Sequence, residues 1–187
     1  ATATGDGKSL KIGVSPIVSD TPIIITGDMD ATKIKDRLGL SPLADAVMDS
    51  VQFGASRIYC LPVSATTAGE LGIVSKTGDG GGSVTVDGSP TNAFSVVVKF
   101  TAQGQLNTAA FVYSIDGGNT FTDEITVPVN GEYEITGTGL KLKFTEATEE
   151  DQKPSSFLVN DSYSFTTTAP TMTNGDVLAA FTKLQKF

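Results

Sequence analysis

The chain has 187 residues, 39% of them hydrophobic and 18% charged, with a formal net charge of −8 and neither histidine nor tryptophan. Such a length suits one large domain or two modest ones, each able to bury a working core. Without histidine the chain cannot build a Ser-His-Asp or Cys-His centre by itself, and it lacks the commonest metal ligand and near-neutral proton switch.

The acidity is uneven. Residues 1–64 hold 6 Lys/Arg and 7 Asp/Glu, whereas residues 65–187 hold 7 and 14. An acidic second half repels phosphate backbones, so nucleic acid is not an expected partner. No apolar run approaches the ~18–20 residues that span a bilayer, and the N-terminal ATATGDGKSLKIGV lacks a signal-type apolar core, so a soluble chain with no visible export address is expected. The single cysteine, Cys60, sits among apolar neighbours in IYCLPV, where an inert buried thiol is expected rather than a nucleophile.

In chain order, Lys11–Val14 and Pro22–Ile25 read as short strands rich in β-branched residues, separated by the turn string SPIVSD. Residues 31–38 read as a short helix ending at Gly39. Ser41 then caps a longer helix with Pro42 at its first position, Leu43, Val47 and Val51 (with Ala46) along one face, and Gly54 as its stop. Arg57–Val63 follows as a strand without strict alternation, as befits one covered on both sides.

From Ser64 the texture becomes small, polar and glycine-rich. Strands are then predicted over 83–86, 94–101, 109–115, 124–127, 133–136, 140–145 and 163–167, punctuated by NG, DGG and DGS turns. In the sixth of these, Leu140, Leu142 and Phe144 alternate with Lys141, Lys143 and Thr145. TEATEEDQKPSS, residues 145–156, reads as a solvated acidic loop. A last helix over 174–186 has Thr173 as cap, Asp176 completing a short capping box, and an apolar stripe of Val177, Phe181 and Leu184.

The expected fold is α+β and mostly β: an antiparallel β-sandwich over residues 69–168 inserted into a small α/β domain formed by 1–68 and a return helix in 169–187. The α/β part is expected to be incomplete, because the last helix leaves its stripe with nothing downstream to bury it.

SIDGGNTF, residues 114–121, resembles the Asp-box of sialidase propellers at Ser114, Asp116, Gly118, Thr120 and Phe121. Physically it is a hairpin turn: Ser114 and Asp116 bond turn amides, Gly117 and Gly118 accept positive φ, and Phe121 is expected to plug the sheet below. A propeller enzyme needs one box per blade and several arginines, whereas this chain has one box and only Arg37 and Arg57. A structural turn is the expected role. GDGKS, residues 5–9, ends like a phosphate-binding loop but lacks its first glycine and a preceding strand. GDGGG, residues 78–82, has no helix after it and is expected to be a flexible hinge. The turn carboxylates Asp79, Asp87, Asp116, Asp123 and Asp161 show no calcium-loop spacing. No catalytic residue, metal ligand or cofactor is therefore assigned.

SPLADAVMDSVQFGASRIYCLPVSA resembles the helix, Phe-Gly-Ala-type turn and strand of contractile-phage tail sheath proteins, at Leu43, Val47, Phe53, Gly54, Arg57, Tyr59 and Val63. The block from Phe94 through TTTAPTMTNGDVLAAFTKL is similar to the β insert of one sheath subfamily. The resemblance implies a non-enzymatic subunit in the virion tail, assembled in the host bacterial cytoplasm without cofactor. Its implied partners are copies of itself in six-fold rings and a tail tube protein, with no nucleic acid or membrane. Sheath subunits are stitched by terminal arms that add strands to neighbouring sheets. The chain as it stands lacks such arms and is expected to be monomeric and not to polymerise alone. The alternative is a surface sandwich that binds carbohydrate or cell envelope. Exposed aromatics would argue for it, yet tryptophan is absent and Phe and Tyr mostly fall at core-like positions.

Overall fold

Helices and strands follow from local signals, and long-range pairing sorts them into two bodies. The computed structural model describes residues 8–187, which leaves residues 5–7 of the GDGKS string and the first half of the N-terminal stretch outside the described residues. Two compact units divide the chain: residues up to 69 together with 169–187, and residues 70–168.

The first unit is a three-layer α/β body. Its sheet has the order β1-β3-β2, from β1 (Lys8–Val14), β2 (Ile23–Thr26) and β3 (Arg57–Val63). β3 runs parallel to β1, pairing Leu10 with Tyr59 and Val14 with Val63, and antiparallel to β2, pairing Ile25 with Ile58. α1 (Ala31–Leu38) and α2 (Pro42–Gln52) cover one face, closing a core of Ile25, Ile34, Leu38, Leu43, Val47, Ile58 and Cys60. Asp30 caps α1 by accepting from the Lys33 amide at 2.9 Å, and Ser41 caps α2 through the Ala44 amide at 3.3 Å. Gly54, at φ +89°, stops α2.

The buried face of α2 is rotated from the expected one: Leu43, Ala44 and Val47 point inward and Ala46 is exposed. The flank carrying Ala44 and Met48 joins the cluster that also holds Ile34 and Leu38 of α1, and this turns Ala46 to solvent.

α3 (Asn174–Leu184) covers the other face of the sheet, with Ala180 and Leu184 packed against Leu61. The expected stripe is corrected here too. Val177 is 40% exposed and Phe181 half-buried, because the helix approaches the sheet along its small residue Ala180. Thr173 and Asp176 form the full capping box. The chain leaves and re-enters this unit at adjacent points: the Thr66 and Thr67 amides donate to the Thr171 carbonyl at 2.9 and 3.1 Å, and the Thr171 amide answers to Thr67 at 3.0 Å.

The second unit is an antiparallel sandwich. One sheet has the order β5-β10-β9, from β5 (Ser83–Gly88), β9 (Glu132–Ile135) and β10 (Leu140–Thr145). The other has the order β4-β11-β6-β7-β8, from β4 (Ser75–Thr77), β6 (Ser95–Ala102), β7 (Ala110–Ser114), β8 (Ile125–Thr126) and β11 (Ser162–Thr166). β4 has no counterpart in the sequence reading, since Ser-Lys-Thr carries no apolar alternation and pairs only because β11 lies beside it. The core is aromatic. Phe100 stacks on Phe157 at 4.5 Å between centroids, and Phe111, Phe144 and Tyr163 close around them. The ends of this unit are also tied to each other: the Thr168 amide donates to the Glu70 carbonyl at 3.0 Å and the Gly72 amide to Thr166 at 2.8 Å.

Candidate functional site

Ser114 ends β7, and the chain turns immediately into the Asp-box-like loop. The Ser114 hydroxyl donates to Asp116 Oδ1 at 2.6 Å and accepts from the amides of Asp116 and Gly118 at 3.2 and 2.9 Å. The same Oδ1 accepts from the amides of Asn119 and Thr120, both at 3.0 Å, while Oδ2 accepts from the Thr120 hydroxyl at 2.6 Å. Gly117 and Gly118 take φ of +79° and +95°, conformations that favour glycine. The hydroxyls of Ser114 and Thr120, then the backbone amides, hold the Asp116 carboxyl well below the usual carboxylate range. Every oxygen of Asp116 is thereby committed to its own turn.

Phe121 is not the expected plug. It is 44% exposed, and its ring lies against the loop's own Gly118. No strand begins at Phe121 to carry it under the sheet: residues 121–124 are irregular and β8 is two residues long. Four of the five predicted residues thus act together, and the fifth covers the turn from outside.

The glycine-rich string 78–82 is not a flexible hinge. It lies within the sandwich unit, with Gly80 and Gly82 buried. Asp161, 3% exposed, accepts from the Leu158 amide at 2.9 Å and from the Gly80 amide, and a Cβ on Gly80 would collide with its carboxylate. The Lys76 ammonium donates to the carbonyls of Gly80 and Gly82 and lies 5.6 Å from the Tyr163 ring centroid. The Tyr163 hydroxyl donates to the Gly82 carbonyl at 2.9 Å. Glycine is used here for close packing, which composition cannot distinguish from flexibility.

The remaining turn carboxylates are dispersed. Asp87 pairs with Lys143, and among the described residues no group of three or more Cys, Asp or Glu side chains gathers as a metal site. Cys60 is fully buried, and that burial pushes its thiol up to about 12. All of the net negative charge belongs to the sandwich: residues 70–168 contain 5 lysines, no arginine and 13 acidic residues.

Sequence reasoning missed a cleft of about 380 Å³ in the α/β unit, beyond the carboxyl end of β3. The β1–β2 loop crosses that end, held by the Ser15 and Ser19 amides on the carbonyls of Val63 and Pro62. Val18, Leu61, Pro62 and Ala180 line the cleft, and Asp20, Asp176 and Lys183 stand at it. Lys183 bonds Asp20 at 2.8 Å, and Asp176 accepts from Thr173 and Thr66. The lining is mixed, apolar at Val18, Leu61, Pro62 and Ala180 and polar at Ser19, Asp20, Ser64, Asp176 and Lys183. Its only signal in the sequence is the meeting of strand end, loop and helix, which requires the topology.

The protein-family model described as DUF2586, N-terminal domain, matches residues 1–187. No curated protein and no solved structure matches the chain.

Proposed function

We infer, for a chain that belongs to the DUF2586 family along its whole length, that it serves as a structural subunit of a contractile phage or phage-like tail sheath. In this role copies form rings around a tail tube, and contraction of the stacked rings drives the tube through a host envelope. The observation that carries the reading is the architecture: a three-layer α/β unit interrupted between β3 and α3 by a complete sandwich, with the ends of each unit hydrogen-bonded to each other. A contracting tube needs rigid bodies that exchange contacts, and two separately closed cores meet that need. The Phe-Gly-Ala turn between α2 and β3 keeps the sheath-like pattern at Phe53, Gly54 and Ala55.

The role is mechanical. Cys60 is buried with its thiol suppressed, and Asp116 is spent on its turn. An acidic sandwich on the outside of such a tube would keep it soluble and apart from other acidic surfaces. The binding-module reading gains little from the sandwich's rings, since Phe100, Phe111, Phe144, Phe157 and Tyr163 are buried, although Phe121 stands exposed.

The test is co-expression of the complete reading frame containing this chain with the products of its neighbouring genes, followed by negative-stain electron microscopy. Hollow cylinders of six-fold rings around a thinner tube are expected. A well-folded, soluble product that forms no cylinder with any neighbour would overturn the reading.

A further inference from the structure

Tyr113 lies in β7 of the five-stranded sheet, and Tyr133 lies in β9 of the three-stranded sheet, 20 positions further on. Both side chains are half-buried, and their ring centroids are 5.8 Å apart with the planes tilted by 57°. At that spacing the ring edges touch. Burial, then the charge and the hydroxyl of Tyr133, push the Tyr113 phenol up to about 12, so the two hydroxyl ends are neighbours.

The strands fix both rings. Tyr113 pairs with Val98, its amide donates to the Thr122 hydroxyl at 3.2 Å, and its carbonyl accepts from the Thr122 amide at 3.0 Å. Tyr133 pairs with Leu142, and Phe111 packs edge-on against its ring at 5.4 Å. The chain offers no readier one-electron donor elsewhere. Tryptophan is absent, and Cys60 is buried with its thiol protonated. Of the other two tyrosines, Tyr163 is buried and Tyr59 belongs to the other unit.

We propose that Tyr113 and Tyr133 are an oxidative cross-linking site, closing to a dityrosine that staples the two sheets of the sandwich. The co-reactant is a peroxide acting through a one-electron oxidant. Each phenol gives up one electron and one proton, and the two phenoxyl radicals join at ring carbons next to their oxygen-bearing carbons. The hydrogen on each joined carbon then moves to its oxygen and restores the phenol. One C–C bond thus replaces two C–H bonds, while two electrons and two protons reduce the peroxide and break its O–O bond. The link closes a loop within the unfolded chain as a disulfide does, and so favours the folded state. It does not depend on the sheath reading.

The test irradiates the full chain, kept dilute, with a ruthenium tris-bipyridyl sensitiser and persulfate as the peroxide. Dityrosine fluorescence should appear in the monomer band of a denaturing gel, and far less of it when the chain is unfolded in urea. Cleavage after Glu124 and Glu132 puts the two tyrosines on separate peptides, so mass spectrometry should find those peptides joined and two hydrogens lighter. Tyr113→Phe and Tyr133→Phe keep the packed rings and should each abolish the signal. The linked chain should melt several degrees above the Tyr133→Phe chain treated alike. Fluorescence that survives in either variant, or that joins chains through Tyr59, would overturn the proposal. So would an unchanged Tm, or a dark native chain under light that couples free tyrosine.

Discussion

Asp116 shows how one side chain can organise a whole loop, since four donors converge on its two oxygens and none comes from a cation. Because those bonds favour the ionised form, its stability contribution is fully present above the unfolded carboxylate value of 3.8. It is lost as pH falls through the depressed folded value. Asp116→Asn should therefore melt below the native chain at neutral pH, and the gap in Tm should narrow once pH drops under about 3.8. Melting curves from pH 7 to 2.5 check the sign; a gap that widened in acid would contradict it. The loop was legible in the sequence because its partners lie within six residues. Asp161 and the buried glycines were not, because Gly80 and Asp161 meet across 81 positions.

Among the elements, helices obeyed their local signals closely at their starts: Asp30, Ser41 and Thr173 all cap as side-chain acceptors. Their buried faces followed the expected stripes in part: Leu43, Val47 and Leu184 are buried, while Ala46 and Val177 are exposed because α2 turned toward α1 and α3 settled on Ala180. Strands emerged where alternation was clear, as in β10, and β4 was invisible because it borrows its order from β11. The sandwich rests on Phe100, fully buried and in contact with four other rings. Phe100→Ala should cost about 3–5 kcal/mol, read as a lower urea midpoint with an unchanged slope for this unit. A loss under about 1 kcal/mol would mean the neighbouring rings collapse into the space.

For the whole molecule, the division into two units leads to a prediction about folding. Residues 70–168 own both of their sheets and their aromatic core, and their ends are bonded to each other. Expressed alone, this segment should give a dispersed amide spectrum and a single cooperative unfolding transition; a collapsed, undispersed spectrum would show that the core needs more than its own strands. With its large excess of carboxylates it should also gain stability as salt screens their repulsion.

By itself the sequence determined the class of elements, the caps that start α2 and α3, the self-contained turn at 114–120, the interruption of an α/β pattern by β sequence, and the lack of any histidine-based chemistry. These are local or compositional properties, carried by neighbours within a few residues. Tertiary structure alone decided which helix flanks are buried, that the glycine string is packed rather than loose, and that a cleft opens beyond the carboxyl end of β3. Those depend on residues brought together across tens of positions, and no window along the chain contains both partners.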